Sequence, residues 1–213
     1  MKFGLAAALV CAATAIFFQG TAHAAPVTLD FESFPNPPGG SGIVSHGNTI
    51  VENGFVLSTN AAFGGFASYS SSSIFYTGSV AMFANQANGS VVLTQDGGGA
   101  FSIESIALAT TNLLPSGNPL VITGVRSDTS IVQQAFSYGA TIEVYSFTSG
   151  FTDLVSLSWT QDPSNNVQFD NIVVDNAPVA VPVAGQAMLM LLCAPLLLRA
   201  RRRRRGSVPG SYA

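Results

Sequence analysis

Between residues 27 and 176 the apolar positions recur every second residue over short stretches, and no long helical period appears. Leu29/Phe31, Val91/Leu93, Phe101/Ile103, Ile142/Val144 and Val155/Leu157/Trp159 each turn one face of an extended segment toward a core. Turn chemistry separates these runs: Asn36-Pro37-Pro38-Gly39-Gly40, Asn53-Gly54, Asn88-Gly89, Asp96-Gly97-Gly98-Gly99, Ser116-Gly117-Asn118-Pro119 and Asp162-Pro163. Strands at roughly 8–12-residue spacing with such turns predict an all-β sandwich or barrel. The lack of strand–helix alternation argues against a doubly wound α/β fold.

In two runs the alternation slips by one residue. Phe101 and Ile103 are followed by Ile106 and Leu108, and Val167 and Phe169 by Ile172 and Val174. One inserted residue in each predicts a β-bulge that keeps both halves facing the core. In the second run the bulge falls at Asp170-Asn171, where it re-aims a carboxylate. Trp159 lies in the inward register with Val155 and Leu157 and is assigned to the core.

The two ends break this pattern. Met1–Ala24 has a positive start at Lys2, an apolar stretch Leu5–Phe18 and a small-x-small site at Ala22-His23-Ala24, the parts of a secretory signal peptide that leaves Ala25 as the new N-terminus. At the other end a linker (177–182) precedes an apolar run Val183–Leu198, then Arg199, Arg201, Arg202, Arg203, Arg204 and Arg205. Sixteen residues of helix reach about 24 Å at 1.5 Å each, short of a roughly 30 Å hydrocarbon core, and arginine stems that snorkel cover the difference. The arginine block sets the tail (199–213) on the cytoplasmic side and the ectodomain (25–176) outside.

Charge sharpens the picture. All 11 acidic residues lie within 25–180, and of the 8 basic residues only Arg126 does, so the ectodomain carries a formal charge of −10. That excludes nucleic acid as a partner. The only cysteines, Cys11 and Cys193, sit in the apolar ends, so the ectodomain forms no disulfide.

Val181-Pro182, the run Val183–Leu198 and the arginines after it resemble the tripartite tail of PEP-CTERM bacterial exported proteins; the tail here reads Val181-Pro182-Val183-Ala184, without the Glu and second Pro of the usual motif. The resemblance implies recognition by an exosortase, an inner-membrane-anchored precursor, and release to the cell surface or the exopolysaccharide matrix. Leu29-Asp30-Phe31-Glu32 and Phe169-Asp170-Asn171-Ile172 resemble the bracketing strands of jelly-roll domains found in such ectodomains and in carbohydrate-binding modules. That resemblance implies an antiparallel jelly-roll β-sandwich and a structural Ca²⁺ with Asp30, Glu32 and Asp170 among its oxygen ligands.

Catalytic signals are poor. The ectodomain has one histidine, His46, in an expected loop, and no Gly-x-Ser-x-Gly elbow. It lacks the His and Cys ligands that zinc needs. Phe63, Phe66, Tyr69, Phe75 and Tyr76 cluster in a Gly/Ser-rich stretch (60–79), where exposed rings would stack on sugars; Tyr69, Phe75 and Tyr76 are the candidate ligand-binding residues. The expected function is non-enzymatic association with exopolysaccharide. The alternatives are a glycan-acting hydrolase, which needs only two carboxylates, and an uncut membrane-anchored adhesin.

Overall fold

The computed structural model describes residues 25–38, 42–111, 118–162 and 166–176. The signal peptide, the sorting motif at Val181 and Pro182, the apolar span and the arginine tail lie outside the described residues. The chain divides into two units, Met1–Pro178 and Val179–Ala213, and every described strand belongs to the first.

The described residues are all-β, in thirteen strands: β1 (Val27–Leu29), β2 (Ile43–Gly47), β3 (Thr49–Glu52), β4 (Phe55–Thr59), β5 (Phe66–Tyr69), β6 (Met82–Ala84), β7 (Ser90–Gln95), β8 (Phe101–Thr110), β9 (Leu120–Arg126), β10 (Ile131–Phe136), β11 (Glu143–Ser146), β12 (Leu154–Thr160) and β13 (Val167–Asn176). Pairing between strands is antiparallel throughout and gives two halves. One runs β2–β5–β6–β13–β8–β11, with β1 beside the second half of β13; the other runs β10–β9–β12–β7–β4–β3. A single pair, Leu154 with Phe101, joins them.

Inward residues of both halves form one hydrophobic cluster. Phe169 of β13 lies at its centre, with edge-on rings from Phe31 (5.8 Å), Phe66 (6.2 Å) and Trp159 of β12 (5.1 Å), and Phe55 meets Phe101 across the halves at 5.4 Å. Edge-to-face packing sets the positive ring edge against the negative face of the next. These rings are essentially inaccessible to water, so the hydrophobic effect acts across both layers.

Local sequence explains several connections. Glu52 pairs with Phe55, leaving Asn53-Gly54 as a two-residue loop, and both have positive φ (48° and 82°). A type I′ hairpin requires this, and Asn-Gly supplies it at little cost. Both bulges are present: the register of β13 against β8 shifts between Asp170 and Val173 and again between Val173 and Val174. Phe101, Ile103, Ile106 and Leu108, and likewise Val167, Phe169, Ile172 and Val174, are buried on either side of them. Asn171 absorbs the insertion with φ 46°, a left-handed conformation that asparagine tolerates.

Two expected registers differ. Val144 is 69% exposed, and Tyr145 instead packs edge-on to Phe136 at 5.7 Å. β11 pairs only with β8, at an edge of its half, where the larger ring takes the contact that a valine would have made. Val155 is also outward, because an irregularity between Leu154 and Ser156 turns Leu154 into the core; Leu157 and Trp159 point inward as expected.

Candidate functional site

The three acids of the expected calcium set meet in one neighbourhood, together with a fourth, Glu52, that was absent from that set. Burial is the largest force on Glu52 and pushes its carboxyl up to about 7; Asp30, hydrogen-bonded to it, and the charge of Asp170 push the same way. Burial likewise raises Asp170 to about 6, helped by the charges of Glu32 and Asp30. Glu52 is inward because it follows Ile50 at a two-residue step in β3, an alternation visible in the sequence.

Each of these acids is engaged by the protein itself. Both oxygens of Glu52 accept from the Phe31 backbone N–H at 3.1 and 3.2 Å. Oε1 of Glu32 accepts from Val80 N–H at 2.9 Å, and Asp30 Oδ1 from Glu32 N–H at 3.3 Å. Asp170, fully buried, accepts from the Ser79 hydroxyl and from Asn171 N–H. Phe31 holds φ 55°, costly for an aromatic residue. Its buried ring against Phe169 and its captured N–H hold it there. The acids therefore fasten the segment after β1 onto β3 and onto Val80 ahead of β6, while Asp170 ties Ser79 to β13. Among the described residues no group of three or more His, Cys, Asp or Glu is arranged to hold a metal ion, and calcium wants six to eight oxygens.

The Gly/Ser-rich stretch divides. Phe66 belongs to β5 and is buried, and Phe63 is 71% exposed. Tyr69 stacks on Phe83 (5.0 Å, 29°), tilts against Phe75 (5.1 Å) and donates its hydroxyl to the Thr111 carbonyl at 3.2 Å. Burial raises its pKa. Tyr69 thus supports Phe75 from beneath. Phe75 and Tyr76 are half-buried and line a cleft of about 260 Å³ with Thr110, Thr141 and Gln168. The Gln168 amide is held by the Thr110 carbonyl at 3.0 Å. The cleft combines aromatic surface with the Thr141 hydroxyl, over a floor in which Thr110 and Gln168 are buried and bonded to each other.

His46 lies in β2, not in a loop. Its Nε2 is 2.8 Å from the hydroxyl of fully buried Ser68, and its ring packs edge-on to Phe34 at 5.5 Å. Burial lowers its pKa. Ser68 is out of a substrate's reach, so the pair serves packing. Glu52 and Asp170, the two acids with raised pKa, line neither the aromatic cleft nor a larger groove over β7, β12 and β9.

No family model and no curated protein matches the chain. Solved structures with some likeness include a family 29 carbohydrate-binding module (12% identity, TM-score 0.40, 63% of this chain and 86% of that one). Two variants of the module CBM29-2, made to probe ligand recognition by that family, give 11% identity with TM-score 0.41 over 75% and 100% of the two chains, and 13% with 0.41 over 71% and 87%. At this overlap the likeness carries no functional inference.

Proposed function

We propose that the chain is an exported, non-enzymatic protein of the cell surface or extracellular matrix. Its jelly-roll-like sandwich associates with exopolysaccharide. The observation that carries the binding reading is the aromatic cleft, with Phe75 and Tyr76 half-exposed beside Thr110, Thr141 and Gln168. The negative face of an aromatic ring attracts the positively polarised C–H bonds of a sugar, and side-chain hydroxyls beside it, such as that of Thr141, match sugar hydroxyls. The export reading rests on Met1–Ala24 and on Val181-Pro182 with the apolar span and arginines, the address that an exosortase would read.

Affinity electrophoresis of the full chain in mild detergent tests binding. Neutral exopolysaccharide in the gel should retard the protein, Tyr76→Ala should lose about tenfold in affinity, and the polysaccharide should keep its chain length after incubation. Shortened polysaccharide would mean a hydrolase. The intact mass of the protein from its own cells tests sorting: a form running from Ala25 to near Pro182 means cleavage, and a membrane form keeping Val183–Ala213 means a tethered adhesin.

A further inference from the structure

A second, larger depression crosses the outer face of the other half, away from the aromatic cleft's rings. Its floor is made by three adjacent strands. Ser90 of β7 pairs with Thr160 of β12; one step along, Val92 pairs with Ser158, and Ser158 with Thr123 of β9. Val121 completes the floor. These positions alternate with buried Val91, Leu157, Trp159 and Ile122, so the same pleat that builds the core sets a small hydroxyl or methyl group at each outward point. Neighbouring strands lie about 4.8 Å apart, so the hydroxyls form regular cross-strand rungs. Asn88, Asn118 and Asp162 stand among the lining residues, with Asn118 Nδ2 donating to Asp162 at 3.1 Å. The open volume is about 660 Å³, inside the roughly 300–1,000 Å³ range of ligand sites.

Trp159 borders the depression but belongs to the inward set and packs on Phe169 at 5.1 Å, so the class of ligand is read from charge. Arg126 is the only Lys or Arg among the described residues, and it is committed to the Gly150 carbonyl and the Ser130 hydroxyl. Phosphate, sulfate and uronate ligands would meet no free Lys or Arg here, and they would meet the acid Asp162. We infer that this groove is a second binding site, one that takes a neutral polyhydroxylated chain across β7, β12 and β9.

The inference does not depend on the aromatic cleft, and the experiment separates the two. The full chain in mild detergent is titrated with a soluble β-1,3-glucan, a galactomannan and a xylan, with alginate as the anionic control. Ser158→Tyr fills the middle of the floor from an outward position, and Thr123→Tyr does so from the neighbouring strand; circular dichroism checks the fold of each. At least one neutral polymer should bind in a manner insensitive to salt. Both filling variants should weaken it tenfold or more. Wild-type affinity in folded Ser158→Tyr and Thr123→Tyr overturns the proposal, as does tighter binding of alginate than of every neutral polymer. Loss on Tyr76→Ala with none on Ser158→Tyr leaves the cleft reading standing and removes this one. The reverse pattern does the opposite. No neutral binding by the wild-type chain removes both.

Discussion

The carboxylate cluster and the open groove treat polar groups in opposite ways. Around Phe31, four acids are drawn together and spent on the protein: Glu52 on a backbone N–H, Asp170 on a serine hydroxyl, Glu32 on Val80 and Asp30 on the Glu32 N–H. Across β7, β12 and β9, uncharged hydroxyls stand in rungs that face outward. Buried charge is tolerated where it is hydrogen-bonded, and it then fixes structure. On the open face the commitment is partial: Thr123 Oγ1 accepts from Gln133 Nε2 at 3.0 Å and still has its own proton to donate. Within this cluster Glu52 and Asp170 are confined to the interior, while Asp30 and Glu32 stay at the surface.

The comparison can be broken first at the core that both regions share. Phe169→Ala removes the ring that Phe31, Phe66 and Trp159 pack on, and should cost about 3–5 kcal/mol in urea unfolding. A much smaller loss would mean that the two layers do not share one core. Next, Glu52→Ala leaves the Phe31 N–H without its carboxylate and should cost about 1–3 kcal/mol. Glu52→Gln, which keeps an acceptor, should cost less; equal costs would show that the hydrogen bond is not what the carboxyl supplies.

The pH dependence sharpens the contrast further. Folding raises Glu52 to about 7 and Asp170 to about 6, above their unfolded values near 4. The folded chain therefore holds protons that the unfolded chain has released, so this stability is full below about pH 4 and is lost as pH rises through 6 and 7. Melting temperature should fall from pH 5 to pH 8, and Glu52→Gln should flatten the slope. A melting temperature that rises over this window would show that burial does not hold these two carboxyls protonated in the folded chain. In the cleft, Tyr76→Ala should change stability by no more than about 0.5 kcal/mol, as surface changes do, while reducing retention by polysaccharide. The smallest expected effect is that of calcium: millimolar Ca²⁺ at pH 7.5, or EDTA, should move the melting temperature less than protonation does. A large rise with Ca²⁺ would mean that the four acids turn from their backbone partners to a metal.

Much of the fold is legible in the chain. Period-two alternation marks the strands, Asn53-Gly54 marks a two-residue hairpin, and the slipped alternation marks both bulges, including the one that turns Asp170 inward. These are local signals, set by the pleat and by which residues accept positive φ. The gathering of Asp30, Glu32 and Asp170 is also expected, through the resemblance of the first and last strands to jelly-roll strands. Glu52 escapes such a reading although Ile50 and Glu52 alternate, because an acid at an inward step reads as solvated until its partner is known.

The amino-acid sequence determined the all-β class, the ectodomain's charge of −10, and turns such as Asn53-Gly54, since each depends on residues within a few steps of one another or on composition alone. Only the tertiary structure decided that Tyr69 supports Phe75 while Phe75 and Tyr76 line a cleft, that Val144 faces outward, and that Ser90, Thr160, Ser158 and Thr123 share one floor. Those outcomes depend on which strands become neighbours. Strand order is fixed by competition among all apolar faces for one core, a property of the whole chain that no local window contains.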